Sequence, residues 1–167
     1  MKKLFVFCYL LITTLVCAQS SDNALIIVDA QKLGLMKDLS REMQAMNPDD
    51  ISTVTVFKSE AAKKYGSDTG VIIIVTKKYI LDAFYKQYIQ NTALNANIKS
   101  AEALAKIGII NTKPGKNQPY DELSKYISTG NMDERLLKIK KLQFLTPDFT
   151  QALNPEWTSG ALEISLE

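Results

Sequence analysis

The groups that could carry out chemistry in this chain are carboxylates, amines, hydroxyls and phenols. Histidine is absent, and cysteine occurs only twice, at Cys8 and Cys17. Histidine is the commonest general base and the commonest metal ligand, so its absence excludes most catalytic and zinc-binding arrangements. Both cysteines lie in an N-terminal segment that we expect to be removed, which also excludes Cys-His catalysis and disulfides from the remaining chain. We therefore expect no enzyme, no cofactor and no metal site.

Asp49 and Asp50 are adjacent carboxylates, a pair that could act as acid and base or form part of a calcium site. A calcium loop also needs further oxygen ligands at set spacings, whereas aspartates in a turn commonly cap or shape it. The loop from Asn111 to Tyr120 lacks the Gly-Lys-Ser/Thr ending of a phosphate-binding loop. We predict a turn at the first position and a plain surface loop at the second.

Aromatic residues cluster between Tyr79 and Tyr88. Phe84 and Tyr88 are four residues apart, which is typical of a helix face packed on a core. Aromatic rings can also stack on sugars, so Tyr79, Tyr85 and Tyr88 are the predicted ligand or partner surface.

Hydrophobic spacing predicts the elements that position these residues. We expect strands at Ala24–Val28, Ile51–Phe57 and Val71–Val75, and helices at Leu35–Met46 and Ser59–Tyr65. Gly66 suits a left-handed end to the second helix, and the neighbouring Tyr65 is expected to pack on the sheet.

Five consecutive β-branched residues at Val71–Val75 indicate a central strand buried on both faces. Ile73 should therefore be as buried as Ile72. The predicted core of this first lobe contains Ile27, Val54, Val56, Ile72 and Ile74, with Leu39 and Met43 covering it.

The rest of the chain weakly repeats this pattern. Residues 79–107 are predicted to form two helices broken near Asn95–Asn97. After them, Ile109-Ile110 corresponds to Ile26-Ile27, and Gly160 corresponds to Gly70. A duplicated lobe is one interpretation, and the patterning shared by any two β-α-β-α-β units is the other.

Residues 47–78 contain, in order, a Val- and Thr-rich strand, the segment Ser-Glu-Ala-Ala-Lys-Lys-Tyr-Gly-Ser and the strand Gly-Val-Ile-Ile-Ile-Val-Thr-Lys-Lys. This order resembles the plug domain of TonB-dependent outer-membrane receptors, especially those that import glycans. Leu25–Asp29 also matches the family's strand that ends in Val-Asp before a turn. The resemblance covers about residues 24–78, a third of the chain, and implies a plug-like fold that binds something in the cell envelope.

Three departures from the family limit what the resemblance implies. Thr69 stands where the family usually has Asn before the Gly-Val strand. Only 89 residues follow Lys78, whereas a large barrel needs about 22 strands of roughly ten residues. The first strand also begins within about six residues of the expected mature N-terminus, which leaves no segment to engage TonB. The transport function is therefore not implied.

The predicted fold class is α+β. It comprises a signal peptide at 1–18, a plug-like β-α-β-α-β lobe at 19–78, a helical connector at 79–107 and a second, degenerate copy of the lobe at 108–167.

The first 18 residues have the layout of a secretory signal. Two lysines precede an apolar run from Leu4 to Val16, and Ala18 completes a cleavage site before Gln19. As a helix this run would span about 20 Å, less than the roughly 30 Å of a bilayer core. Its removal leaves 18 basic and 18 acidic residues, a balance that gives no electrostatic reason to bind nucleic acid or an anionic membrane.

Together these features predict an exported, periplasmic or envelope-associated interaction module that is not an enzyme and has no membrane span after signal cleavage. Its expected partners are envelope proteins, bound through a sheet edge. A glycan-binding accessory protein is the main alternative, and a carboxylate-dependent hydrolase is less favoured.

The mature protein should begin at Gln19. Mass spectrometry of the protein purified from its native envelope would measure this directly. An intact Met1, or a lipid attached to Cys17, would contradict the expected cleavage.

Overall fold

The computed structural model describes residues 23–111 and 119–167. They form two small sheets and several helices, which confirms the α+β class. The chain divides into two compact units: unit 1 contains the described residues up to Ile74 together with Gly130–Met132, and unit 2 contains the others. The predicted signal peptide and most of the 111–120 loop lie outside the described residues. No helix in the described ranges is long and apolar enough to cross a membrane.

Unit 1 is built on a four-stranded sheet, of which only Val75 and Thr76, the last two residues of one strand, are assigned to unit 2. Its strands are β1 (Leu25–Val28), β2 (Gln31–Leu35), β3 (Ile51–Lys58) and β4 (Gly70–Thr76), in the order β2-β1-β4-β3. β1 pairs in parallel with β4 and antiparallel with β2. The three strands predicted for this region are thus present, and β2 is an additional strand.

The predicted Leu35–Met46 helix is wrong in part. Its first residue, Leu35, is instead the last residue of β2, a strand that the sequence did not predict. A two-residue turn joins β1 to β2, because Asp29 and Ala30 both adopt positive φ angles, of 51° and 62°. This is the type I′ geometry that Asn-Gly sequences usually signal, and Asp-Ala gives only a weak version of that signal. A 3-10 turn at Met36–Asp38 follows β2. The α-helix of this segment, α1, covers only Ser40–Ala45.

The second predicted helix of unit 1 is shorter than expected. α2 covers Glu60–Lys63, and Ser59 precedes it without a side-chain capping bond. Gly66 has a φ of 79°, which confirms the predicted left-handed end.

Unit 2 contains a three-stranded sheet. Its strands are β5 (Gly108–Ile110), β6 (Ile139–Leu145) and β7 (Ala161–Leu166), in the order β5-β7-β6. β7 is parallel to β5 and antiparallel to β6. The α-helices of unit 2 are α3 (Lys77–Tyr88), α4 (Ala101–Leu104), α5 (Pro119–Leu123) and α6 (Pro147–Leu153).

The predicted helical connector is less continuous than its sequence suggests. α3 and α4 are separated by a 3-10 turn at Ala93–Ala96, where the sequence predicted a break near Asn95–Asn97. Thr92 caps this turn by accepting a hydrogen bond from the Leu94 N–H (3.2 Å).

The core of unit 1 follows its two central strands rather than the whole sheet. Ile26 and Ile73 are almost completely buried, and Ile27 and Ile74 are buried as well. Neighbouring residues of a strand point to opposite faces, so burial of both Ile73 and Ile74 supports the prediction that β4 is covered on its two faces.

Two predicted core residues of this lobe are wrong. Val54 and Val56 are exposed, because β3 is the outermost strand of the sheet. Ile72, Leu39 and Met43 are half-buried. The sequence pattern identifies strand residues correctly but does not reveal which strand lies at an edge.

The core of unit 2 is formed by α3, α4, α5 and β7. Phe84 and Tyr126 rings meet edge to face at 6.1 Å, a favourable aromatic geometry. In β7, Leu162 and Ile164 are buried while Glu163 and Ser165 are half-buried, as in a strand with one face on the core. The largest fully buried side chains of this unit are Tyr126, Phe84, Ile80, Ile89, Ile98, Leu104, Leu123, Ile127 and Leu162.

Ile73→Asp should destabilise the protein by several kcal/mol, because it places an unpaired carboxylate where the native side chain is 1% exposed. Ile72→Asp should cost distinctly less, since Ile72 is half-buried. Urea denaturation would measure both, with Leu33→Asp on exposed β2 as the matched control, expected to cost under about 1 kcal/mol. Equal costs for the three variants would contradict this description of the core.

Candidate functional site

β3 is the most accessible apolar element of unit 1. It lies at the end of the sheet order, so in the described part of the chain it has a strand neighbour on one side only. Val54 and Val56 are 54% and 53% exposed. From Ile51 to Phe57 the strand contains no charged residue and no proline. A long, uncharged edge strand of this kind is a ready template for pairing with another extended chain.

The other sheet edges in the described residues are protected. β2 is offset from β1 by a register shift between Ile26 and Ile27, and it includes Lys32. β6 contains Lys140 and Lys141, which are both exposed. β5 has only three residues. Bulges, lysines and short length are the usual ways in which proteins prevent edge pairing. β3 is eight residues long, and its one lysine, Lys58, is its last residue.

The predicted tyrosine surface lies on α3 in unit 2. Thr76 caps the start of this helix, and its side chain accepts a hydrogen bond from the Tyr79 N–H at 3.1 Å. Tyr79, Tyr85 and Tyr88 are each half-buried. The structure therefore places all three on one helix with part of each ring accessible.

The hydroxyl groups of these tyrosines are bonded to the chain itself. Tyr79 donates to the Ser128 carbonyl (2.8 Å), and Tyr88 donates to the Tyr126 carbonyl (3.1 Å). The Tyr85 hydroxyl lies within hydrogen-bond distance of Asn95 Oδ1 (2.8 Å) and of the Lys99 carbonyl (3.0 Å). The three phenols thus tether α3 to later loops of the same unit.

Burial also affects the phenols deepest in this unit. The Tyr88 ring lies 4.9 Å from that of Phe84, and burial raises the pKa of the Tyr88 phenol above its ordinary value. Burial, and then the negative charge of Glu122, raise the pKa of Tyr126. Both phenols therefore stay neutral at physiological pH, and the Tyr88 hydroxyl acts as a hydrogen-bond donor.

Glu122 is a buried carboxylate that sequence reasoning missed. It accepts hydrogen bonds from Asn111 Nδ2 and from Lys125 Nζ, the latter at 2.6 Å. Lys125 is three residues later on the same helical segment, a spacing that allows such pairs. In the part of the chain that the structure describes, no group of three or more His, Cys, Asp or Glu residues could hold a metal ion. The arrangement positions and neutralises one carboxylate, which is typical of a structural ion pair.

Tyr65 in unit 1 combines a stacked ring with a hydrogen-bonded hydroxyl. Its ring stacks on Phe57 at 5.3 Å, and its hydroxyl donates to Asn131 Oδ1 and accepts from the Met132 N–H, both at 2.9 Å. The predicted packing of Tyr65 is thereby confirmed, and its hydroxyl also fixes the 130–132 segment that belongs to this unit.

The adjacent aspartates lie in a turn, as predicted. Pro48–Asp50 is a 3-10 turn, and Asn47 Oδ1 caps it by accepting from the Asp49 N–H at 3.1 Å. Asp49 and Asp50 are exposed immediately before β3.

One further apolar surface lies on α6 in unit 2. Phe149 and Leu153 are exposed and four residues apart, so they share one face of the helix. Their spacing does not identify them as exposed, since apolar residues four apart on a helix usually indicate a buried face.

Comparisons with protein-family models, with characterised proteins and with solved structures found no match for this chain.

Tyr88→Phe should lower the free energy of unfolding by about 1 kcal/mol near pH 8, because it removes one hydrogen bond and keeps the ring. The Tyr88 phenol has a higher pKa in the folded protein than in the unfolded chain, where its pKa is about 10. Its stabilisation is therefore fully present below about pH 10 and is lost as the pH rises through the pKa of the folded protein. Urea denaturation at pH 8 and above pH 10 should therefore show the deficit of the variant shrinking. A deficit that stays constant would contradict the raised pKa.

Proposed function

We propose that this protein is an exported, non-enzymatic interaction module of the cell envelope that binds an extended segment of a protein partner along β3. Main-chain hydrogen bonds to a sheet edge supply affinity in this mode of binding, and alternate side chains supply specificity. The observation that carries the proposal is the exposed edge of β3, which is uncharged from Ile51 to Phe57, beside three protected edges.

The exposed valines support a protein partner. Side chains of one strand alternate between faces, so Val54 and Val56 project on the same side. A partner strand would bury both against its own apolar residues, whereas a small polar ligand would gain little there. The signal-like N-terminal segment supports export.

The polar side chains give less support to a glycan site. The hydroxyls of Tyr79, Tyr85 and Tyr88 bond to carbonyl oxygens of the same unit. A sugar at these rings would have to rely on stacking alone or displace those bonds. Protein binding at β3 requires no such rearrangement.

We also propose that the chain contains two copies of a plug-like lobe. The strand order β1-β4-β3 in unit 1 corresponds to β5-β7-β6 in unit 2, with a parallel central pair in each. Within those pairs, Ile26 lies beside Ile72, and Ile109 lies beside Leu162. These are the positions that the repeated sequence pattern aligns.

A shared backbone contact adds support for the duplication. A Cβ atom on Gly70 would lie 3.3 Å from the Phe57 carbonyl oxygen, and one on Gly160 would lie 2.6 Å from the Leu145 carbonyl oxygen. Phe57 and Leu145 stand near the ends of β3 and β6, so both glycines allow the same close approach. β2 has no counterpart among the described strands of unit 2.

A double variant, Val54→Lys with Val56→Lys, should reduce partner binding by at least about tenfold, because it adds the charges that protect natural edges. The measurement is quantitative capture of envelope proteins by the tagged chain from Gln19, followed by titration of the main captured protein. Leu33→Lys on β2 is the matched control and should bind normally.

Unchanged capture by the double variant would contradict a β3 site. Loss of capture by Leu33→Lys as well would place the binding surface elsewhere on the sheet. Thermal unfolding of each variant checks that the fold is intact.

A further inference from the structure

We propose that the partner strand at β3 is β3 of a second copy of this chain, paired antiparallel about a two-fold axis at Val54. This inference rests on the proposed sheet-edge function and names the occupant of that edge. It depends on the sequence of β3 read in both directions.

Symmetry restricts the possible registers. In an antiparallel pair, residues directly opposite each other point to the same face of the sheet, whereas neighbours along one strand point to opposite faces. A two-fold axis normal to the sheet must therefore pass through a residue that lies opposite its own copy. The axis can therefore lie at Thr53, Val54 or Thr55, but not between two residues.

Charge selects one of these registers. With the axis at Val54, Asp50, the last residue of the turn immediately before β3, comes level with Lys58 of the second copy, and symmetry forms this pair twice. Both residues are exposed in the structure. An axis at Thr53 would place Asp50 opposite Val56, and an axis at Thr55 would place Lys58 opposite Ser52. Only the Val54 register gives opposed charges of opposite sign, which stabilise cross-strand pairs.

Most of the uncharged positions also match in this register. Val54 faces its own copy, Thr53 faces Thr55, and Ile51 faces Phe57, whereas Ser52 faces Val56 and forms the one polar–apolar pair. Aliphatic pairs, threonine pairs and aromatic–β-branched pairs are among the favourable cross-strand combinations. The two exposed valines of each copy would then lie on one face of a continuous sheet.

The assembly stops at two copies. Each chain uses its single β3 edge, and the outer edge of the joined sheet is then β2, with its register shift and Lys32. A further copy would have to add at that protected edge. The expected species is a dimer rather than a fibre.

Cysteine cross-linking tests the register. Both native cysteines lie in the first 18 residues, so Val54→Cys in the chain from Gln19 introduces its only thiol. In the proposed pairing the two Cα atoms at position 54 lie about 5 Å apart, within reach of a disulfide. The two copies of position 56 would lie about 13 Å apart, four residues along the strand. Under mild oxidation, Val54→Cys should become a covalent dimer and the equally exposed Val56→Cys should not.

Charge reversal tests the pairing without a covalent bond. Lys58→Asp, or Asp50→Lys, places like charges opposite each other twice and should weaken dimerisation about tenfold or more at low salt. The double variant Asp50→Lys with Lys58→Asp restores opposite charges and should dimerise within about threefold of the wild type. Analytical ultracentrifugation measures the constants, and thermal unfolding confirms that each variant folds.

The proposal is overturned if the wild-type chain is monomeric at the highest concentration measured, if both cysteine variants cross-link equally, or if the double charge variant is as weak as the single ones. If dimerisation fails these tests but envelope-protein capture still depends on Val54 and Val56, the proposed function stands and this inference fails. If neither depends on β3, both fail.

Discussion

The parallel pairing of β1 with β4 is the contact on which unit 1 depends. It joins Leu25 to Val71 and continues through Val28 and Ile74, so the most apolar segments of the unit lie side by side at the centre of its sheet. Parallel strands require a long crossover, and here the residues between them supply β2, α1, β3 and α2. Since β1 and β4 occupy the centre, β2 and β3 must be the edges. The pairing of β5 with β7 has the same place in unit 2.

The edge position of β3 is the feature on which the proposed function depends. β2, β5 and β6 are shortened, offset or supplied with lysines, whereas β3 is eight residues long and uncharged from Ile51 to Phe57. Leaving such an edge open favours aggregation, so a protein that keeps it benefits from a specific occupant. The proposed binding at β3, and the proposed pairing of two copies there, both give that edge an occupant.

Polar groups in the described residues serve mainly to hold loops in place. Tyr79, Tyr85 and Tyr88 tie α3 to later segments of unit 2, and Tyr65 fixes the 130–132 segment in unit 1. Glu122 is held by Asn111 and Lys125. Short helices such as α2 and α4 have little stability of their own, so long side chains with a hydroxyl at the tip are an effective way to anchor the segments between them. This use of tyrosine explains the aromatic cluster without requiring a bound ligand.

The sequence alone determined the α+β class, the strands at β1, β3 and β4, the left-handed turn at Gly66 and the turn before β3, because each depends on local spacing or on the backbone preference of one residue type. The absence of histidine also excluded histidine-based catalysis and metal binding. If the first 18 residues are removed as expected, the remaining sequence excludes cysteine-based catalysis and disulfides as well. Only the tertiary structure decided that Val54 and Val56 are exposed rather than buried, that Leu35 ends a strand, and that the Tyr88 hydroxyl bonds to Tyr126. The β-branched residues of β3 and β4 look alike in sequence, and their burial differs because strand order depends on contacts between residues far apart in the chain.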